Sequence, residues 1–293
     1  MSVTDMASAV SEGVSDGQEL YLAGFTHLIP FAAGHEMIRQ GLEDLTLVRA
    51  TPDAIYDQMI AAGCAEKVVF SYAGAGLRRT LEEGDIEFEE YTHFGMVSRL
   101  AAGAYDLPFL PVRTFAGSDL PAHNGKIRRV ESPYDGEEIN VVPPLNPDVT
   151  VVHAHRADEH GNAQVWGIVG EIIDAALAAD TVILTTEELV DEAVIRSDPN
   201  RTAVPGSAVD YVVEEPYCAH PSYVHGLYDR DRRFYRGWDD VASTHEGVLE
   251  YLDEWVYGVD DRREYVEKLG VGRLLDLQPR TNYATPVDMG GYQ

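Results

Sequence analysis

The stretch DVTVVHAHRADEHGNAQVWG, residues 148–167, sets the fold class. Its opening run is apolar and β-branched on both alternations, the pattern of a strand buried on two faces in a parallel sheet. His153, His155, Asp158, Glu159 and His160 follow. All five are side-chain types that bind zinc or iron. Residues two apart in a strand point the same way, so His153 and His155 are able to share one ion. Against a catalytic metal, half the chain precedes this strand. The later histidines (His220, His225, His245) fall in loops and a helix, and the only later lysine, Lys268, stands in the last helix. The expectation is no metal, with the histidines as hydrogen-bonding groups facing a cleft; a metal-dependent amidohydrolase is the distant alternative. Gly161-Asn162 is a tight-turn signal, because both residues tolerate positive φ. A turn at the carboxyl end of a buried strand lies where open α/β sheets bind ligands.

Working outward, apolar runs alternate with helical patterns. Strands are predicted at 19–24, 45–50, 67–72, 86–91, 148–155, 181–189 and 208–216, with a polar strand at 163–166. Helices are predicted at 32–41, 54–63, 93–106 (capped by Thr92) and 170–180, and through the amphipathic stretch from Asp231 to Gly270. This predicts an α/β fold, a layered and mostly parallel sheet with helices on both faces and a helical C-terminal part. One domain spans 1–270, followed by a tail or arm, 271–293. Segments 132–147, 196–207 and 216–230 are expected to be long loops, which in compact domains are often functional.

The chain has 293 residues, with 50 acidic against 22 basic and a net charge of −28. Only Lys67, Lys126 and Lys268 are lysines, and the acids are dispersed. A dispersed acidic surface around a normal core points to a halophilic protein, whose self-repulsion salt screens. Nucleic-acid binding is excluded, because phosphate contacts need clustered Lys and Arg. Cys64 and Cys218 have no metal-ligand spacing and fit free thiols in a reducing cytoplasm. No signal peptide and no membrane span is present in the pattern, so the expected location is cytoplasmic.

Asp158, Gly161 and Asn162 in this setting resemble the alpha (A) subunits of family I coenzyme A transferases of the glutaconate type. The resemblance extends to SDGQELYLAGFTH (15–27), EEYTHFGMVSRLAAGAYDLPFLPVRTFAGSDL (89–120), TEEL (186–189), PGSAVDYVVEEPYCAHPS (205–222) and YDRDRRFY (228–235). It implies transfer of CoA between an acyl-CoA and a carboxylic acid through a glutamyl-CoA thioester. The nucleophilic glutamate of such enzymes lies in a Ser-Glu-Asn-Gly motif of the B subunit. This chain has no Glu-Asn-Gly, so the resemblance makes it the A half, needing a B partner. Coenzyme A thioester enters as substrate, and no permanently bound cofactor is implied. Candidate substrate or oxyanion residues are Gly24 and Phe25 (close backbone approach), His27 (donor), Gly117, Ser118 and Asn162.

The family pattern is not complete. Ala23 replaces its first glycine, and Thr26-His27-Leu28-Ile29 intervenes before Pro30. Pro30-Phe31-Ala32 lacks the asparagine of the 3-oxoacid branch, which argues against a 3-oxoacid transferase and leaves His27 or backbone N–H groups near Gly24 as oxyanion donors. A related class of ring-opening CoA-thioester hydrolases carries a glutamate near the start of helix 93–106. Phe94 or His93 stands there, and Glu90 is the nearest substitute. Glu187 and Glu188 are further carboxylates to place.

Overall fold

Apolar residues on both alternations of each strand require cover on both faces, and the computed structural model, which describes residues 2–279, supplies it. Eight parallel strands form the main sheet: β1 (Ser2–Val3), β2 (Glu19–Leu22), β3 (Leu45–Val48), β4 (Ala65–Phe70), β5 (Glu87–Glu90), β6 (Val149–Ala154), β7 (Thr181–Thr186) and β8 (Tyr211–Glu214). Their order across the sheet is β1-β8-β7-β6-β2-β3-β4-β5. In the register of the central strands, Leu22 and Ile183 lie on either side of Val151.

One face carries Tyr21, Val48, Val69, Val152 and Leu184, and packs against helices His93–Ala104 and Ile172–Ala178. The other carries Leu20, Leu22, Leu47, Val151 and Ile183, under helices Phe31–Gln40, Ala54–Ala61 and His245–Trp255. Adjacent residues Leu20 and Tyr21 thus serve opposite cores, as strand geometry dictates. Thr92 caps its helix as the sequence suggests, its Oγ1 accepting the Gly95 N–H at 3.0 Å, and Asp261 Oδ1 likewise accepts the Glu264 N–H at 2.8 Å.

Besides one- to three-residue shifts at strand and helix ends, and helices Met6–Gly13, Ala75–Glu83 and Glu192–Ser197 that the pattern did not show, three differences from the sequence expectation matter here. Within 132–147 the chain forms half of a hairpin, Arg128–Glu131 against Glu138–Val142, with Leu110–Val112 as the third antiparallel strand. Its charged residues hide the strand alternation. The polar strand after Gly161-Asn162 is only Ala163–Gln164; it pairs with Arg156–Ala157 and Thr202–Val204, so part of 196–207 is strand too. The last helix runs Arg262–Asp276 with a non-helical Gly270 inside it, so helix continues past 271. The rest of the tail, from 280, lies outside the described residues.

At the β5 edge, Glu89 gathers two of the three lysines. Lys126 Nζ lies 2.8 Å from Glu89 Oε1, and Lys67 bonds the same oxygen. Burial acts to raise the Glu89 pKa, but the two ammonium groups outweigh it and hold it at about 2. A depressed carboxylate contributes stability above its unfolded pKa and loses it as pH falls through the folded one. Glu89→Gln is expected to destabilise the protein at pH 7 by about 1–2 kcal/mol, discounted for partial solvent access. In denaturant titrations the difference from wild type should vanish as pH falls from about 4.5 toward 2.

Candidate active site at the sheet switch point

From β2 the chain steps outward to β3, β4 and β5, and from β6 it steps the other way to β7 and β8. The direction reverses between β2 and β6, and the crevice beyond their carboxyl ends is where such sheets bind ligands. The loop after β2 there is strongly shaped. Gly24 has φ +103, and a Cβ on it would stand 2.5 Å from the Leu28 carbonyl oxygen and 2.6 Å from that of His27. Thr26 and Leu28 are non-glycine residues in the left-handed region, φ 59 and 57, on either side of His27. Buried Arg49 holds the loop from beneath: it donates to Leu22 O (2.6 Å), to Gly24 O and to Thr51 O (2.8 Å). The N–H groups of Gly24, Phe25 and Thr26 make no hydrogen bond among the described residues.

The histidines pack around this loop as hydrogen-bonding groups. His27 is buried, stacked on Tyr223 with centroids 5.0 Å apart, and its Nε2 donates to Ile168 O. His155 stacks on Trp166 at 3.8 Å, and its Nε2 donates to His225 O at 3.0 Å. A carbonyl oxygen only accepts, so each neutral ring keeps its other nitrogen, Nδ1, as a lone pair. Both Nδ1 atoms are buried without a partner among the described residues. Burial pushes the His27 pKa down to about 4 and that of His155 to about 3. His27 is therefore an acceptor in this geometry, which corrects the expectation that it donates to an oxyanion; the free backbone N–H groups beside Gly24 are the donors present.

His153 behaves oppositely. Its Nδ1 donates to Thr185 Oγ1 (2.9 Å) and its Nε2 to Glu187 Oε1 (2.8 Å). Burial lowers its pKa, but Cys218 and Glu187 outweigh that and push it up to about 10. Both nitrogens are occupied, and no group of three or more His, Cys, Asp or Glu among the described residues is arranged to hold a metal.

The carboxylates of this edge are occupied as well. Glu187 also accepts from the Tyr228 hydroxyl (2.6 Å) and the Tyr217 N–H (2.9 Å). Glu171 accepts from the Tyr21 hydroxyl (2.9 Å). Buried Asp158 accepts from the N–H groups of His160 and Asn162 and from the Asn162 amide. Asn162 Oδ1 takes the Gly206 N–H at 3.0 Å. The Asn162 side chain is thus spent on its own loop.

The structure brings together Gly24, Phe25 and His27. Gly170, in the left-handed region at φ +58, lies against Phe25, where a Cβ would come within 2.7 Å of the Phe25 Cβ. The remaining candidates sit elsewhere. Glu90 ends β5, three strands from β2, roughly 14 Å away at the usual strand spacing. Its side chain is exposed. Gly117 and Ser118 are exposed in the loop after Leu110–Val112, where Ser118 Oγ donates to Phe115 O at 3.1 Å. Arg49 and Trp166 join the site without having been predicted from the sequence, and Tyr223, which sequence alone leaves open between pocket and interface, stacks on His27; the glycine-bounded segment Gly167–Gly170 is the one local signal for the wall opposite Phe25.

A parallel α/β sheet with a glycine-shaped loop and free N–H groups at its switch point defines a ligand-binding enzyme fold. The family model described as coenzyme A transferase matches residues 3–215, and the chain belongs to that family. It is 44% identical to the A-type chain of the 3-oxoadipate CoA-transferase of Pseudomonas knackmussii, over 92% of this chain and 98% of that one. It is 33% identical to the A-type chain of the glutaconate CoA-transferase of Acidaminococcus fermentans, over 98% of each. A crystal structure of glutaconate coenzyme A-transferase from that organism superposes with a TM-score of 0.91 over 99% of both chains at 32% identity. A cholesterol ring-cleaving hydrolase subunit of Mycobacterium tuberculosis is 28% identical over 92% of this chain and 99% of its own.

Gly24→Ala is expected to destabilise the fold by about 2 kcal/mol or more, since both φ and the nearby carbonyls oppose a Cβ. Denaturant unfolding measures it. The buried histidines add a pH dependence. Their folded pKa values lie below the ordinary 6.5, so the unfolded chain binds protons that the native site does not. Stability from them is full above pH about 6.5 and is lost as pH falls toward 4 and 3. The expected outcome is that His155→Gln reduces the proton uptake on unfolding between about pH 4 and 6 by about one.

Proposed function

We propose that this chain is the alpha half of a heteromeric CoA-transferase that moves CoA between an acyl-CoA and a carboxylic acid, with the nucleophilic glutamate supplied by a B subunit. The observation that carries this reading is the state of the crevice: it offers hydrogen-bond donors and acceptors, while Asp158, Glu171 and Glu187 are each committed to internal hydrogen bonds. Carboxylates held this way are placed to support the crevice rather than to attack, and the nucleophile is expected from the partner. The Gly24–Thr26 N–H groups would then stabilise the oxyanion that forms when the thioester carbonyl is attacked.

Two similar transferases are named for 3-oxoadipate and glutaconate, both short dicarboxylic acids. The same class of acyl group is proposed here. The partner is expected to carry Ser-Glu-Asn-Gly. The halophilic reading rests on 50 acidic residues and three lysines, and a cytoplasmic site on the two buried free cysteines. No helix among the described residues is long and apolar enough to cross a membrane.

The test is reconstitution. Alone, the chain should show no CoA transfer; with a B subunit, transfer should appear with ping-pong kinetics. Borohydride reduction or hydroxylamine trapping during turnover should mark a glutamate of the partner. Marking of Glu90 instead would replace the transferase by a hydrolase, and activity of the isolated chain would refute both assignments.

A further inference from the structure

Basic residues are scarce in this chain, yet several converge on one groove away from the switch point. A cavity of about 550 Å³ lies between helix His93–Ala104 and the antiparallel strands Arg128–Glu131 and Glu138–Val142, with Arg99, Lys126 and Arg128 among its lining. Phe109, Val130 and Pro143 supply apolar walls, and no carboxylate among the described residues lines it. Lys126 is partly engaged with Glu89, and Arg129 at the lip lies 3.7 Å from Glu138. Arg128 makes no salt bridge among the described residues.

Arg99 is the more telling group. It is 4% exposed, and its Nη1 has no hydrogen-bond partner among the described residues. Its other side-chain contacts are one weak hydrogen bond, Nε to Pro143 O at 3.4 Å, and the Tyr91 ring, whose centroid lies 4.7 Å away; its charge also acts on the nearby carboxylate of Glu19, with no hydrogen bond between them among the described residues. A guanidinium held out of water with an idle N–H is a site waiting for an acceptor. A lone carboxylate would neutralise one such cation, whereas three in one groove match a multiply charged anion.

We propose that this groove binds a multiply charged organic phosphate of nucleotide size, its phosphates on Arg99, Lys126 and Arg128 and its flat part against Phe109 and Pro143. Two sources share that chemistry: the phosphorylated adenosine end of coenzyme A, an assignment that rests on the transferase reading, and a free nucleotide, which does not.

The probe is adenosine 3′,5′-bisphosphate, titrated calorimetrically into the full chain and into its complex with the B subunit. Binding is expected in both, weakening with added salt. Arg128→Ala, an exposed change, should weaken it by about tenfold or more. Arg99→Lys keeps the charge but loses the fork and should weaken it too, with circular dichroism confirming the fold. Competition by coenzyme A identifies the coenzyme as the source; binding unaffected by coenzyme A identifies a free nucleotide. The proposal is overturned if the folded chain does not bind the probe, if Arg128→Ala leaves the affinity unchanged, or if adding the partner removes binding, which would make the groove part of the contact between the two proteins. Transfer activity of the complex is measured separately, so failure of the groove and failure of the transferase reading give different results.

Discussion

A buried guanidinium bound by backbone carbonyls underlies the crevice. Arg49 is 2% exposed and forms no salt bridge among the described residues; it spends its donors on Leu22, Gly24 and Thr51. The Leu22 and Gly24 carbonyls lie where β2 ends and the Thr51 carbonyl follows β3, so the guanidinium ties two adjacent strand ends together while giving their buried oxygens donors. The rigid fork of arginine fits several such oxygens at once, which the compact ammonium of lysine does not. With the floor of the loop pinned this way, the left-handed Thr26 and Leu28 are tolerable, because the surroundings over-determine them. Tyr223 and Ser222 close the arrangement from above: Leu28 N–H donates to Tyr223 O (3.0 Å), and Ser222 Oγ to Thr26 O (3.1 Å).

The carboxylates show how architecture and chemistry divide between the two proteins. Glu187 ties together His153, Tyr228 and the backbone of Tyr217, joining the ends of β6 and β7 to the long loop beyond β8. A side chain with this many obligations is a fastener. Under the proposed division, this chain supplies a rigid cradle, and the reactive group arrives with the partner.

Much of the main sheet was legible because its strands are buried on both faces, which leaves a continuous apolar signal that needs no knowledge of partners. The antiparallel hairpin was not, since Arg128, Arg129, Glu131 and Glu138 obscure the alternation on a sheet that is largely exposed. At the site, glycines announce backbone demands, and Gly24 was readable for that reason. The roles of His27 and Asn162 were not, because they depend on which hydrogen bonds are already taken: Ile168 O uses the proton of one, and Asp158 and Gly206 use the amide of the other. Nothing local in the sequence around Arg49 distinguishes a carbonyl-bound cation from a surface one.

The two margins of the main sheet have a consequence for colloidal behaviour. An exposed strand margin is a template on which another chain can add. One margin here, Ser2–Val3, is two residues long; the other, Glu87–Glu90, carries three glutamates in four residues. The first is too short to seed a fibril, and the second repels an approaching copy of itself. In concentrated brine that repulsion fades, and the shortness of both margins is the restraint that remains.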